Sequence, residues 1–247
     1  MPLPFRFPLL VLAVACLAIQ PAAARQDAPS LAGFNRAVAA AYAPARIAMG
    51  YLRTGNVMPA GIELERSVSA WRERVAPFAD RPPELFADLP EFAGALGALG
   101  RQLEETLTAA DAGEAEAAYE AVSDFRTGLS DLRAAAGLYL FPDCVLDLSR
   151  AMDALYRYRH APPDFQARAA VAEVGTRTGI LGDTIRRCDR LAAPEKRADE
   201  KYRRLVGGLI ESLEPLAAAI RDADSVRFIN VLREQRSLER LIAMELG

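Results

Sequence analysis

The chain has 247 residues and a net charge of −3, with 51% hydrophobic and 26% charged side chains, the proportions of a globular protein and not of a disordered one. Its negative balance excludes a generally basic nucleic-acid binder. Its single histidine excludes most zinc enzymes, Ser-His-Asp triads and di-iron bundles built on paired Glu-x-x-His motifs.

Residues 1–24 read as an export signal: Arg6 supplies a positive start, Leu9 to Ile19 an apolar run, and Ala22-Ala23-Ala24 a cleavage site before Arg25. The apolar run is about 11 residues, short of the ~20 that cross a bilayer. Cys16 follows Ala13-Val14-Ala15, a loose lipoprotein box, but Ala13 stands where Leu is usual, so plain secretion is favoured over lipidation at Cys16. The mature chain is expected in the periplasm or outside the cell, with no later transmembrane segment.

Ala, Leu, Arg and Glu dominate that chain, and no stretch alternates with period two, so helices are expected throughout. The first spans 31–53, interrupted or kinked at Pro44 and ended by Thr54-Gly55-Asn56. The second spans 60–78, stopped by Arg81-Pro82-Pro83. Helices over 90–108 and 114–140 flank the turn Asp111-Ala112-Gly113. Four more are expected over 142–159, 164–191, 195–221 and 225–246.

Phe92, Leu96, Leu99, Leu103 and Thr106 form a 4-3-4-3 seam, and 110 residues later Tyr202, Val206, Leu209, Leu213 and Leu216 repeat it. The same shift pairs Gly97 with Gly207, Glu104 with Glu214, Val122 with Leu232, Asp124 with Glu234, Arg126 with Arg236 and Leu132 with Ile242. The reading is all-α: two tandem up-and-down four-helix bundles, residues 25–140 and 141–247, after a cleaved signal peptide. The alternative is one eight-helix unit whose helices run through Pro142.

An exported, Ala-rich module of about 100 residues with four antiparallel helices resembles the cytochrome c-prime family and the related b-type cytochrome bundle. The resemblance implies a bundle fold in both copies and, in c-prime cytochromes, haem fixed to C-x-x-C-H in the last helix. Residues 114–140 and 225–246 contain neither Cys nor His, which excludes covalent haem. The b-type bundle holds haem between an early Met and a late His. Met49 and Met152 match the first position, and no His matches the second.

Two cysteines remain in the mature chain, Cys144 and Cys188, and an oxidising compartment favours a disulfide between them. If straight helices meet at the turn Ala161-Pro162-Pro163, Cys144 lies ~24 Å and Cys188 ~36 Å from it. That offset exceeds the reach of a disulfide. A bridge then requires a kink at Pro142 or a staggered start to the second helix.

Candidate contact residues fall in two places. Tyr156, Arg157, Tyr158, Arg159 and His160 close a helix before two prolines and offer an anionic or aromatic contact, against a bland reading as charges compensating a helix end. Arg186, Arg187, Arg190, Lys196, Arg197, Lys201, Arg203 and Arg204 crowd one turn, interleaved with Asp189, Glu195, Asp199 and Glu200. They read as a docking patch or as a solvated face. Glycines at helical spacing, Gly94, Gly97 and Gly100, then Gly175, Gly179 and Gly182, suggest close helix approach or a slot for a flat ligand.

The leading expectation is a non-enzymatic exported protein that binds a protein or small-molecule partner, with no metal and no covalent cofactor. The second is an electron-transfer or haem-binding protein holding haem non-covalently, with Met or Tyr ligation. The third is a copper chaperone using Met49, Met58, Met152 and Met244, which are dispersed where copper segments cluster their thioethers.

Overall fold

The structure, a computed structural model, describes residues 29–246. The export signal, with Arg6, Cys16 and the cleavage site, lies outside the described residues. Every regular element among those residues is helical, and none of the helices is long and apolar enough to cross a membrane.

Helix α1 (Leu31–Leu52) starts at Ser30, whose side chain accepts from the Gly33 N–H, and runs unbroken through Pro44. Helix α2 (Val57–Ala70) passes into a π-helical turn (Trp71–Val75) and then a 3-10 turn (Ala76–Ala79). Pro77 has no N–H for the ladder, which explains why the expected single helix changes pitch here. A short α3 (Glu84–Ala87) precedes α4 (Phe92–Asp111) and α5 (Ala115–Ala135).

Both α4 and α5 end on a glycine with positive φ, Gly113 at 81° and Gly137 at 70°. In each case the glycine N–H and the one after it return to the carbonyls that the last turn leaves orphaned, Ala110 and Ala109 for α4, Ala134 and Arg133 for α5. That closure stops α5 at Ala135, short of the expected 140. Helix α6 (Phe141–Tyr156) then begins afresh with Pro142 in its first turn. The helices around Pro142 are therefore not continuous.

A 3-10 turn (Arg157–Arg159) follows α6, and α7 (Arg168–Leu191) starts four residues later than expected. The expected helix over 195–221 is three: α8 (Pro194–Ala198), α9 (Glu200–Glu211) and α10 (Leu213–Arg221). Asp199 caps α9 by accepting from the Tyr202 N–H at 2.8 Å. Pro215 lacks the N–H that would bond to Glu211 and its ring crowds that carbonyl, so the chain bends at Ser212. Helix α11 (Ser225–Glu245) closes the chain.

Two apolar cores result. One draws on residues from Phe34 to Leu132, including the Phe34, Phe86 and Phe92 cluster, and the other on residues from Cys144 to Leu246. Around the first, α1 packs on α2, α2 on α4, α4 on α5 and α5 on α1. Around the second, α6 packs on α7, α7 on α9 and α10, these on α11, and α11 on α6. Both seams are buried, except that Leu213 is half-buried. Between the groups α1 meets α11 and α5 meets α6.

Cys144 and Cys188 are bridged, with Cα atoms 5.4 Å apart. Helical rise carries the chain ~24 Å from Cys144 to Arg159, and ~30 Å back from Arg168 to Cys188. The connection over 160–167 takes up the ~6 Å difference, the staggered start that the bridge requires.

The glycine rows do not form a slot. At Gly94, Gly175 and Gly179 a side chain would meet open space, and at Gly97 only the tip of Arg101. Gly100 and Gly182 do mark close approach. A Cβ at Gly100 would lie 2.9 Å from Nε1 of the buried Trp71. Gly100→Ala should therefore cost about 1–3 kcal/mol. Gly94→Ala should stabilise by about 0.5–1 kcal/mol. Urea midpoints of the two variants, shifting in opposite directions, check both.

Candidate functional site

Where the two groups meet, α1 and α5 from one and α6 and α11 from the other wall a cleft of about 230 Å³. Six arginines line it, Arg46, Arg53, Arg126, Arg150, Arg236 and Arg240, against Asp124, Asp153 and Glu239. A local excess of +3 thus sits inside a chain whose net charge is −3. Tyr42, Met49, Leu146, Ala243 and Met244 complete the lining with apolar surface.

Arg126 lies on the inward face of α5, among the buried Val122, Phe125, Leu129 and Leu132, and is itself 8% exposed. Its Nη1 reaches Ser149 Oγ at 3.4 Å. Its Nε and Nη2 are buried and have no hydrogen-bond partner among the described residues. A dry guanidinium edge is costly, because burial removes water and supplies nothing in exchange. One heptad further along α5, Arg133 shows what such an edge accepts: its Nε and Nη2 both donate to the carboxylate of Asp143.

Two of the three acids of the cleft, Asp153 and Glu239, are already engaged. Arg236 bonds Glu239 at 3.0 Å and Asp153 at 2.7 Å, and its guanidinium stacks 5.4 Å from the Tyr156 ring. Ser149 donates to Glu239 at 2.6 Å. Ser149 Oγ thus stands between Glu239, to which it donates, and Arg126, from which it accepts.

Positive charges press on one another here. Burial first, then the charge of Arg126, holds Arg46 below the usual guanidinium range, although the Tyr42 ring it stacks on opposes the shift. Burial first, then Arg236 and Arg53, does the same to Arg240. Lys196 is lowered by burial and by Arg46. Burial pushes the Tyr42 phenol up, against the pull of Arg126 and Arg46, which keeps it a neutral donor.

The residues singled out from sequence are placed elsewhere. Of the first group only Tyr156 approaches the cleft, through Arg236 and with Arg159 stacked at 4.7 Å on its ring. Arg157 faces outward, bonded to Tyr158 and to Glu173 on α7, and His160 is exposed beyond the helix end. Arg186 pairs with Asp183 in its own helix. Arg187 sits 3.7 Å from Asp147 and stacks over Tyr139, whose phenol is pushed up to about 12 by burial and by donation to Asp147. Arg190, Arg197, Arg203 and Arg204 are exposed. These arginines are spread around α7, α8 and α9.

The methionines part company as well. Met58 is 79% exposed and Met152 is buried in the second core, while Met49 and Met244 both line the cleft. A net positive wall disfavours a copper ion there. Among the described residues no three His, Cys, Asp or Glu side chains stand together as metal ligands.

Comparison of the chain with protein-family models, with curated proteins and with solved structures gives no match.

Proposed function

We propose that this is an exported, non-enzymatic binding protein that takes a small anion in the cleft between its two helix groups. The observation that carries the reading is the excess positive charge of the cleft, one of whose lining residues, Arg126, has a buried Nε–Nη2 edge with no hydrogen-bond partner among the described residues. Two parallel N–H donors fit the two oxygens of a carboxylate or phosphate group, and charge-assisted pairs of this kind are the strong ones. The disulfide supports an oxidising compartment, the periplasm or the exterior. The matching seams support reading the two groups as copies of one bundle module, related in architecture to the c-prime cytochromes. The haem reading loses its slot with the outward-facing glycines, and the copper reading conflicts with the arginines.

Calorimetric titration of the mature protein with acetate, succinate and phosphate tests the proposal. At least one should bind, more weakly as salt rises. Truncating one partner of a buried charge pair costs about 2–5 kcal/mol, so Arg126→Met should weaken that binding by about 30-fold or more. Arg126→Met should not lower the melting temperature, since it removes an unsatisfied group and roughly keeps the volume. Absence of any binding by the unaltered protein, or equal binding by the variant, would refute the assignment.

A further inference from the structure

We infer that the ligand is an amphipathic carboxylate, an acid with an aliphatic tail, its head on Arg126 and its tail in the groove between α1 and α11. This rests on the anion reading above and names the class of anion.

The inner cleft is small. At about 230 Å³ it falls below the roughly 300–1,000 Å³ of sites that enclose a whole drug-sized ligand. It continues into an outer groove of about 520 Å³, with which it shares Arg46, Gly50, Arg53 and Met244. The outer groove changes character: Ala43, Ile47 and Tyr51 join its wall, with Glu245 as the one added charge. Ile47 and Tyr51, one turn apart on α1, remain 45% and 39% exposed. Large apolar side chains left open beside a charged cleft are the pattern of a site for a ligand that is charged at one end only.

The passage between the two spaces is set by Gly50. A Cβ there would lie 3.0 Å from the Met244 sulfur, so α1 and α11 are in contact across this residue with a flexible thioether as the wall. Methionine adapts its three torsions to irregular apolar shapes. Charge therefore falls along the path, from +3 in the cleft to +1 in the outer groove, where Ile47 and Tyr51 add open apolar surface. A carboxylate fits this path because its two oxygens match the two donors of a guanidinium edge and its carbon leaves one substituent for a tail. Burial of the tail supplies affinity in proportion to its length.

The experiment is a ladder of straight-chain acids, acetate, butyrate, hexanoate and octanoate, with inorganic phosphate beside them, titrated into the mature protein stripped of bound lipid. Affinity should rise about twofold to fourfold per methylene until the outer groove is filled. The double variant Ile47→Ser, Tyr51→Ser, altered only at exposed positions, should reduce that increment to near onefold. Arg126→Met should lower every member of the ladder together. Equal affinity for all four acids, or an undiminished increment in the double variant, overturns the amphipathic assignment and leaves the anion cleft standing. Phosphate binding tighter than every acid overturns the choice of carboxylate. No binding of any anion overturns the parent reading itself.

Discussion

Asp143→Ala should destabilise the protein by about 3–5 kcal/mol, the cost of leaving a buried guanidinium without its counter-charge. The side chains of Arg133 and Asp143 are 8% and 1% exposed, so solvent cannot replace the lost partner. Asp143 also caps the first turn of α6, where its Oδ2 accepts from the Leu140 N–H at 2.8 Å. One carboxylate thus starts a helix of the second group and holds it to the last helix of the first. Guanidinium melts of Asp143→Ala, Arg133→Met and the double variant form a cycle. The double variant should recover much of the loss, because removing both charges removes the stranded one. A loss below about 1 kcal/mol for Asp143→Ala would show that the pair carries no weight in the fold.

Reduction of Cys144–Cys188 should cost about 4 kcal/mol, the chain-entropy value for a 44-residue loop. The bridge ties α6 to α7 inside the second core, where its two residues are 0% and 1% exposed. Mature protein denatured without reductant should show no free thiol, and urea curves with and without reductant should differ by the stated amount. Burial delays access, so reduction has to be carried out on unfolded chain before refolding. Two titratable thiols in exported protein would defeat this expectation.

Helix type and the main connections were readable because breakers sit there: Gly113, Pro142 and the prolines at 82 and 83 act through local geometry, which a window of a few residues contains. Pro215 was equally local and marks the bend at Ser212, yet the regular seam from Tyr202 to Leu216 hides it. Register between helices was less accessible. The distance argument against the disulfide assumed that α6 and α7 meet at the Pro162–Pro163 turn, whereas α7 starts at Arg168 and the intervening segment resets the level.

The cleft was the least accessible feature, because its cations come from three well-separated stretches of the chain and a fourth, at Arg150, between them. Arg46 and Arg126 of one group meet Arg236 and Arg240 of the other only once the two groups are docked, and docking depends on contacts such as Gly50 against Met244 and Arg133 with Asp143. Dense runs of arginine drew attention to 186–204, but a run along a helix points its charges around the whole circumference. A subtler signal was present. Arg126 and Arg133 fall on the apolar face of α5, between Phe125 and Leu129 and beside Leu132, where a cation is out of place without a partner.

A single polypeptide need not keep its two halves alike, and positions 126 and 236 illustrate what that freedom permits. Exchanging α1 with α6 and α5 with α11 maps the contact of α1 with α11 onto that of α6 with α5. In a dimer of identical subunits joined this way, the two arginines would face the same axis with the same surroundings, both neutralised or both bare. Here both terminal nitrogens of Arg236 are paired, with Asp153 and Glu239, and its Nε alone lacks a partner, while Arg126 keeps both Nε and Nη2 unmet and has no carboxylate partner. On the proposed anion reading, one of two corresponding cations is scaffold and the other receptor, a division of labour that subunit symmetry forbids.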